Sequence, residues 1–290
     1  MAGAGFGVDS GLPDFRGPNG FYKAYPYFEK VGMNFQDAAN PQFFKKDPKR
    51  FWYFYGHRHM LYANTEPNQG YMILNEWAKN DFGPDHHFVF TSNVDHQFQK
   101  AGISDKNIYE CHGSIFVFQC DKCNIVEERL DEKFELDENT YETESIPECQ
   151  KCQSFMRPNC LMFGDFDFNE QVSEQQDQRY KAWLENIKDQ SLLIIEIGAG
   201  SAVPTVRLNS EDVLTVLRNK NTNMIRINPA EQNVYRATKK WINIIDKNIA
   251  NEMVDSDIQN LNLEMRYLVQ VEAGGKDTLV AIDNIIKKQI

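Results

Sequence analysis

Short apolar segments that run directly into loops of glycine or polar residues constrain the fold of this chain most strongly. Strands that alternate with helices predict a parallel α/β sheet, and ligands bind at the carboxyl ends of its strands. Helical patterns cover residues 21–65 and 72–80, and we predict a further helical region over 230–265. The predicted strands are residues 87–90, 107–110, 192–197 and 224–228, and the loops that follow them are 91–95, 112–113, 198–201 and Asn228.

The amino terminus is itself a glycine-rich loop. Glycines stand at positions 3, 5, 7 and 11, and the stretch SGLPDFRG adds a carboxylate, an aromatic ring and a guanidinium at Asp14, Phe15 and Arg16. Glycines let backbone amides approach a phosphate closely, although many such loops are only turns. The added polar residues make a binding loop the more specific interpretation.

Four of the six cysteines form two Cys-x-x-Cys pairs, which predict a metal site. Cys120 and Cys123 are separated by 25 residues from Cys149 and Cys152. Four thiolates at this spacing are typical of a tetrahedral zinc with no open coordination position, and such a zinc is structural rather than catalytic. Cys111 and Cys160 fall outside the spacing, and we predict that both are free and buried.

Charge and hydropathy exclude several other classes of protein. The formal net charge is −11 and the isoelectric point is about 5.1, which argues against direct nucleic-acid binding. Residues 127–148 hold 10 acidic and 2 basic side chains, and we interpret them as a solvated loop. We find no membrane span and no secretory signal, so we expect a cytoplasmic or nuclear protein that does not bind membranes.

Taken together, the motifs resemble those of the sirtuins, the NAD-dependent protein lysine deacylases. The resemblance extends in order from residue 3 to about residue 280. The matching segments are GAGFGVDSGLPDFR (3–16), TSNVD (91–95) with Ala101-Gly102, His112-Gly113, RPNCLMFGD (157–165), IGAGSAV (197–203) and Ile227-Asn228. The sequence departs from the family pattern at Gly7, Ser92, Ala199-Gly200 and Asp165, where the family has Ser, Gln, Thr-Ser and Glu.

The resemblance implies an α/β fold: a Rossmann-like parallel sheet with helices on both faces, plus a smaller helical and zinc-binding lobe. Residues 1–30, 84–116 and 157–290 would form the NAD-binding domain. Residues 31–83 would be the helical part of the small lobe, and residues 117–156 the zinc-binding module.

The resemblance also implies the chemistry. NAD would be a co-substrate, one structural zinc would be bound by Cys120, Cys123, Cys149 and Cys152, and acyl-lysine proteins would be the partners. His112 would act as general base with Asn93 and Asp95 as further catalytic residues, giving nicotinamide, O-acyl-ADP-ribose and free lysine. The residues implied for NAD binding are Gly3, Ala4, Gly5, Asp14, Phe15, Arg16, Ser92, Asn93, Asp95, Gly198, Gly200, Ser201 and Asn228.

Substrate recognition is implied at two places. The peptide would add as a strand near Phe163-Gly164. Tyr55 and Arg58 have the Tyr-x-x-Arg spacing that binds succinyl or malonyl carboxylates in some sirtuins, because residues three apart on a helix share a face. The alternative is that both are packing and surface residues of an aromatic helix.

Two other functions stay open. The chain could be a mono-ADP-ribosyltransferase or NAD hydrolase, or a non-catalytic NAD-binding module.

Only Met1 and Ala2 precede Gly3, whereas a Rossmann-like sheet needs an apolar strand before this loop. We therefore expect that the first helix and first strand of the family are lacking, with unpaired backbone on two neighbouring strands.

Overall fold

The computed structural model describes residues 1–13, 18–83, 85–216, 222–231, 242–247 and 266–289. Within these ranges the α-helices are α1 Gly5–Val8, α2 Pro18–Ala24, α3 Pro26–Lys30, α4 Phe35–Ala38, α5 Pro41–Lys46, α6 Pro48–Asn64, α7 Gln69–Trp77, α8 Gln97–Lys100, α9 Gln171–Asn186, α10 Thr205–Val216 and α11 Gly275–Gln289. The strands are β1 Val89–Thr91, β2 Ile108–Glu110, β3 Gly113–Cys120, β4 Ile125–Glu128, β5 Leu136–Asp137, β6 Glu142–Thr143, β7 Arg157–Cys160, β8 Leu192–Ile197, β9 Thr222–Ile227, β10 Ile242–Lys247 and β11 Arg266–Val271.

The larger part of the fold is a parallel sheet in two portions. One portion has the strand order β10-β11-β9-β8, and the other pairs β1 with β2. Apolar side chains of β8, β9 and β11 are buried against α10 and α11, as is typical of parallel sheets with covered faces. The predicted α/β class with a smaller helical and cysteine-bearing lobe is confirmed.

Ala2 joins the two portions of the sheet. It forms parallel bridges to Thr91 of β1 and to Ile197 of β8. Its amide donates to the Phe90 carbonyl at 2.9 Å, and the Gly3 amide donates to the Ile197 carbonyl at 2.9 Å. Ala2 and Gly3 therefore lie where the last residues of a central strand would lie, and this segment is shorter than a central strand of such a sheet normally is.

An apolar cavity lies beside this rung. Its lining includes Met1, Val89, Leu192 and Ile194, so both β1 and β8 contribute to it. Among the described residues, no strand other than the short segment at Ala2 pairs with these facing edges. The cavity therefore lies between β1 and β8, next to Ala2.

The smaller part of the fold combines an antiparallel sheet, β4-β3-β7, with a β5-β6 hairpin and helix α6. The α6 helix begins after Asp47, whose side chain accepts the Arg50 amide, and Pro48 occupies the first turn. Most of its length is buried in an aromatic core. That core also includes Phe21, Tyr25 and Phe28 from the preceding helices.

The predicted elements agree with the structure except in one region. The helical pattern over 21–65 and the four predicted strands are present, with boundaries shifted by one or two residues. The predicted helical region 230–265 is wrong for residues 242–247, which form β10 in parallel register with β11. Isoleucines at 242, 244 and 245 favour a strand locally, and the neighbouring edge of β11 supplies the hydrogen bonds.

The division into domains stays a prediction. In the part of the chain that the structure describes, no helix combines the length and apolar character needed to cross a bilayer.

Candidate active site

Asn93 connects the loops at the carboxyl ends of the strands. Its side-chain amide donates to the Gly3 carbonyl at 3.2 Å, and its backbone amide donates to the Thr91 hydroxyl at 3.0 Å. The Thr91 hydroxyl in turn donates to the Ala2 carbonyl at 2.9 Å. Asn93 is 6% exposed, yet its Oδ1 atom has no hydrogen-bond partner among the described residues. A buried acceptor without a donor costs stability, so Asn93 fits a site that a ligand hydroxyl completes.

The two glycine-rich loops pack directly against each other. Two hydrogen bonds hold them together: the one from the Gly3 amide to the Ile197 carbonyl, and a second from the Gly5 amide to the Gly198 carbonyl at 3.0 Å. A Cβ atom on Gly3 would lie 2.7 Å from Ala199, and one on Gly5 would lie 2.9 Å from Gly198. These glycines are therefore required first by the contact between loops, whereas the sequence suggested only an approach to phosphate.

Asn228 and Ala199 complete this end of the sheet. The Asn228 side-chain amide donates to the Ala199 carbonyl at 2.9 Å. Gly200 and Ser201 follow as partly exposed residues, and Ser92 is buried with its amide donating to the Ala2 carbonyl. The loops at 3–5, 92–95, 198–201 and 228 are thus brought to one edge of the sheet.

A buried ion network fixes the strands beneath these loops. Arg226 on β9 donates to Glu196 on β8 at 2.6 Å and to Glu211 on α10 at 2.9 Å. All three side chains are almost completely buried, and Ser210 also donates to Glu196. Because a buried charge requires a partner, this network sets the relative positions of β8, β9 and α10.

His112 lies between β2 and β3, where two other segments meet. Its Nε2 atom is 3.3 Å from the Thr205 hydroxyl at the start of α10, and its carbonyl accepts the Leu161 amide at 2.9 Å. Gly113 has φ +71°, and a Cβ there would lie 2.0 Å from the Asn159 carbonyl oxygen. The glycine after His112 is therefore dictated by packing on β7, and this packing fixes the backbone next to an imidazole that contacts the start of α10.

Burial shifts the pKa values of Asp95, Glu110 and His96. Asp95 is buried, which raises its pKa to about 6, although hydrogen bonding from the Gln97 amide and the charge of Arg58 oppose the shift. Burial raises the pKa of Glu110 to about 8, and burial lowers the pKa of His96 to about 4. Glu110 Oε1 and His96 Nε2 are 3.6 Å apart, and burial keeps both predominantly neutral near pH 7.

Phe163, which is partly buried, and Gly164, which is exposed, form a turn after β7. The Phe163 amide donates to the Ala39 carbonyl at 2.9 Å, so a peptide that pairs here must use other backbone groups of the turn. Gly164 has φ +67°, a left-handed conformation that favours glycine. Asp165 anchors the turn through a bidentate ion pair with Arg157, with N···O distances of 2.8 and 2.9 Å.

Tyr55 and Arg58 are both buried on α6. Of the alternative that they are packing and surface residues, the packing part agrees with the structure and the surface part is wrong. The Arg58 guanidinium carbon is 5.4 Å from the centre of the Tyr55 ring, and the Phe35 ring lies 5.9 Å away. Phe35 in turn contacts Phe163, with ring centres 6.2 Å apart. The Phe35 ring therefore lies between the Arg58 guanidinium and the Phe163 ring.

The four paired cysteines converge as their spacing predicts. Their Sγ atoms all lie within 4.8 Å of one another, and those of Cys120 and Cys152 are 3.6 Å apart. A tetrahedral zinc with Zn–S distances of about 2.3 Å separates its sulfur atoms by about 3.8 Å, so the four thiols fit one structural zinc. None of the six cysteines is in a disulfide, and Cys160 is buried while Cys111 is partly exposed.

Some residues of the candidate site were found only in the structure. Thr205 contacts His112 and Tyr62 contacts Arg58, but neither residue matches a motif. A Pro-Thr pair before a helical pattern at 204–205 is the only sequence signal among them. Asp14, Phe15 and Arg16, which the sequence assigned to NAD binding, lie outside the described residues.

Comparisons with known proteins place this geometry in a family. The model of the Sir2 family matches residues 3–205. An NAD-dependent protein deacylase of Leptospira interrogans (serogroup Icterohaemorrhagiae serovar Lai, strain 56601) is 31% identical over 229 residues, which are 79% of this chain and 80% of the relative. The NAD-dependent protein deacylase sirtuin-5, mitochondrial, of Danio rerio is 32% identical over 181 residues, 57% of this chain and 56% of the relative.

The solved structures agree on the fold. A crystal structure of a Sir2 homolog–NAD complex superposes with a TM-score of 0.64 at 22% identity, covering 99% of this chain and 88% of that chain. At this identity the likeness shows the fold alone.

Proposed function

This chain belongs to the Sir2 family, and we propose that it is an NAD-dependent protein lysine deacylase. The relatives named above are NAD-dependent protein deacylases, and about four fifths of this chain aligns with the first of them. NAD would be the co-substrate and would supply a ribose carbon whose bond to nicotinamide breaks when the acyl oxygen attacks it. The acyl group would leave as O-acyl-ADP-ribose, with free lysine as the other product. One water would be consumed, because the attacking acyl oxygen stays on the ribose carbon and water supplies the carbonyl oxygen of the new ester.

The convergence of loops around Asn93 carries the proposal. Loops that are distant in sequence, at Gly3, Asn93, Gly198 and Asn228, are hydrogen-bonded into one cluster at the carboxyl edge of the parallel sheet. Ligands of parallel sheets bind at this edge. The Asn93 Oδ1 atom, buried and without a partner among the described residues, would accept a hydrogen bond from a ribose hydroxyl or a water.

We assign the general-base role to His112. Its Nε2 faces the Thr205 hydroxyl, which can hold the imidazole in one orientation, and its backbone is fixed by Leu161 and Gly113. A base of this type suits proton transfer from a sugar hydroxyl near neutral pH. Asp95, buried beside the glycine loop, would bind the carboxamide end of NAD together with backbone groups of the 94–95 loop.

The remaining cofactor contacts would come from the backbone of two loops. Gly3, Ala4 and Gly5 would line the diphosphate on one side, and Gly200 and Ser201 would line it on the other. The Gly3 and Gly5 amides would not be donors to it, because they donate to the Ile197 and Gly198 carbonyls. Because Ala199-Gly200 replaces Thr-Ser, amide groups rather than hydroxyls would provide the donors. Gly198, Ser92 and Asn228 would support these loops, and Asp14, Phe15 and Arg16 are proposed as further NAD-binding residues from the sequence alone.

The acyl-lysine would enter next to the Phe163 turn. Phe163 and Gly164 would pair with the peptide backbone, and Tyr55 and Arg58 would receive the far end of the acyl group. A buried guanidinium would favour an acyl group that ends in a carboxylate, such as succinyl or malonyl, over acetyl.

A deacylation assay with product analysis tests the proposal. We expect the purified chain to convert NAD and an acyl-lysine peptide into equal amounts of nicotinamide and O-acyl-ADP-ribose, measured by mass spectrometry. His112→Ala should abolish turnover while NAD binding is retained, whereas His86→Ala, an exposed histidine, should leave turnover unchanged.

The products also distinguish the alternatives. ADP-ribosylated protein or free ADP-ribose without deacylation would indicate a transferase or hydrolase, and NAD binding without nicotinamide release would indicate a binding module. A cytoplasmic or nuclear location stays a prediction, which microscopy of the tagged full chain would test.

A further inference from the structure

Tyr62 contacts Arg58 through the polar edge of its guanidinium. The two residues are four positions apart on α6 and therefore share a face of the helix. The Tyr62 hydroxyl accepts hydrogen bonds from Arg58 Nε at 3.2 Å and from Arg58 Nη2 at 3.0 Å. Both side chains are buried, with 7% exposure for Arg58 and 5% for Tyr62.

Aromatic rings restrict the guanidinium on its other sides. Its central carbon lies 5.2 Å from the Phe54 ring centre, 5.4 Å from those of Tyr55 and Tyr62, and 5.9 Å from that of Phe35. Cation–π contacts of this kind stabilise a guanidinium but do not fix its rotation about the ring normals. The two hydrogen bonds to one hydroxyl do fix it, because Nε and Nη2 must both point at Tyr62.

This orientation matters because only the Phe35 ring separates Arg58 from Phe163. Phe35 contacts both Arg58 and Phe163, so the guanidinium is one ring away from the segment that we propose binds the peptide. An arginine recognises a carboxylate well only when its planar set of donors is held in the required direction.

We propose that Tyr62 is a positioning residue that selects acyl groups ending in a carboxylate, by holding Arg58 toward the end of the acyl-binding site. This proposal rests on the proposed deacylase function and adds a residue that lies outside the Tyr-x-x-Arg spacing. Tyr62 itself need not touch the substrate. It lowers the entropy that Arg58 would lose on binding a carboxylate, because the side chain is already oriented.

The test measures peptide affinity by calorimetry with the full chain. One lysine peptide is prepared in succinylated and acetylated forms, and Tyr62→Phe is compared with the unaltered chain. We expect the unaltered chain to bind the succinyl peptide more tightly than the acetyl peptide. Tyr62→Phe should weaken succinyl binding about tenfold and leave acetyl binding within about twofold.

Tyr53→Phe is the matched control, because Tyr53 is a buried tyrosine on the same helix that contacts Tyr141 instead of Arg58. It should change neither affinity. The proposal is overturned if the unaltered chain does not prefer the succinyl peptide, if Tyr62→Phe leaves that preference intact, or if it weakens both peptides equally. The affinity measurement needs no turnover, so a succinyl preference that depends on Tyr62 would support this inference even in a chain that released no nicotinamide. Absence of nicotinamide release would refute only the deacylase function.

Discussion

Replacing Asp165 by asparagine should destabilise the protein and loosen the proposed peptide-binding turn. Arg157 is completely buried and forms ion pairs with two carboxylates, Asp165 at 2.8 Å and Asp121 at 3.0 Å. The Asp165 side chain is also completely buried, whereas that of Asp121 is 25% exposed and therefore partly screened by water. Asp165 also accepts the Met162 amide, so it holds the turn that contains Phe163.

The burial of each partner sets the size of the effect. Breaking a buried ion pair typically costs about 3–5 kcal/mol, because the remaining charge loses its partner. Asp121 still compensates part of the Arg157 charge, so we expect Asp165→Asn to cost about 2–3 kcal/mol. For a domain of this size that corresponds to a fall in Tm of about 4–12 °C. Asp121→Asn should cost less, about 1 kcal/mol, since that carboxylate is partly solvated.

Thermal unfolding of the zinc-loaded protein measures the change in Tm. In a separate kinetic assay, the KM for an acyl-lysine peptide should rise in Asp165→Asn while the KM for NAD stays constant. Asp167→Asn is the control, because Asp167 forms an exposed ion pair with Lys45 and its loss should leave Tm unchanged. The reasoning would be refuted if Asp165→Asn melted within a degree of the unaltered protein, or if Asp121→Asn were the more destabilising change.

Three further predictions concern other parts of the molecule. Burial raises the pKa of Glu110 to about 8, so the unfolded chain releases this proton at a lower pH than the folded chain, and the stability due to Glu110 should fall as pH rises from about 4.5 to 8. Urea unfolding of Glu110→Gln should lack this component of the pH dependence. Parallel pH profiles of the two proteins would contradict the prediction. Chelation should release one zinc per chain and change the fluorescence of Trp52, which stacks on Phe134 of the cysteine-bounded segment with ring centres 5.1 Å apart; a chain that binds no zinc, or several, would contradict the four-thiol site. Gly56→Ala should lower Tm, because the new Cβ would lie 2.6 Å from the Phe134 ring and overpacking costs about 1–3 kcal/mol. This cost exceeds the helix preference of alanine over glycine, which is about 1 kcal/mol. Phe134→Leu in the same chain should restore part of the lost stability.

Much of the candidate site could be predicted because its signals are local. Cys-x-x-Cys spacing fixes two ligands on one turn, so the pairing of Cys120 with Cys123 and of Cys149 with Cys152 needs no knowledge of the rest of the fold. The loops at 91–95 and 198–201 follow apolar strands, and parallel strands end at a common edge. Residue order alone therefore indicated which loops meet.

Local signals failed where a distant segment determined the outcome. Residues 242–247 carry a short isoleucine signal for a strand within a longer region that we predicted to be helical, and pairing with the edge of β11 decides between the two. Gly3 and Gly5 must be glycines because their Cα atoms pack against the backbone of residues 198–199. That backbone is almost two hundred positions away, and no pattern around the glycines reveals the contact.

By itself the sequence determined the α/β class, the zinc ligands and the loops that surround the proposed NAD site, because each depends on the spacing of residues close together in the chain. The tertiary structure decided which side chains orient them: Thr205 against His112, Tyr62 against Arg58, and Asp165 against Arg157. Except for Tyr62, these partners come from other elements of the fold. Their roles depend on burial and direction, which exist only once the chain has packed.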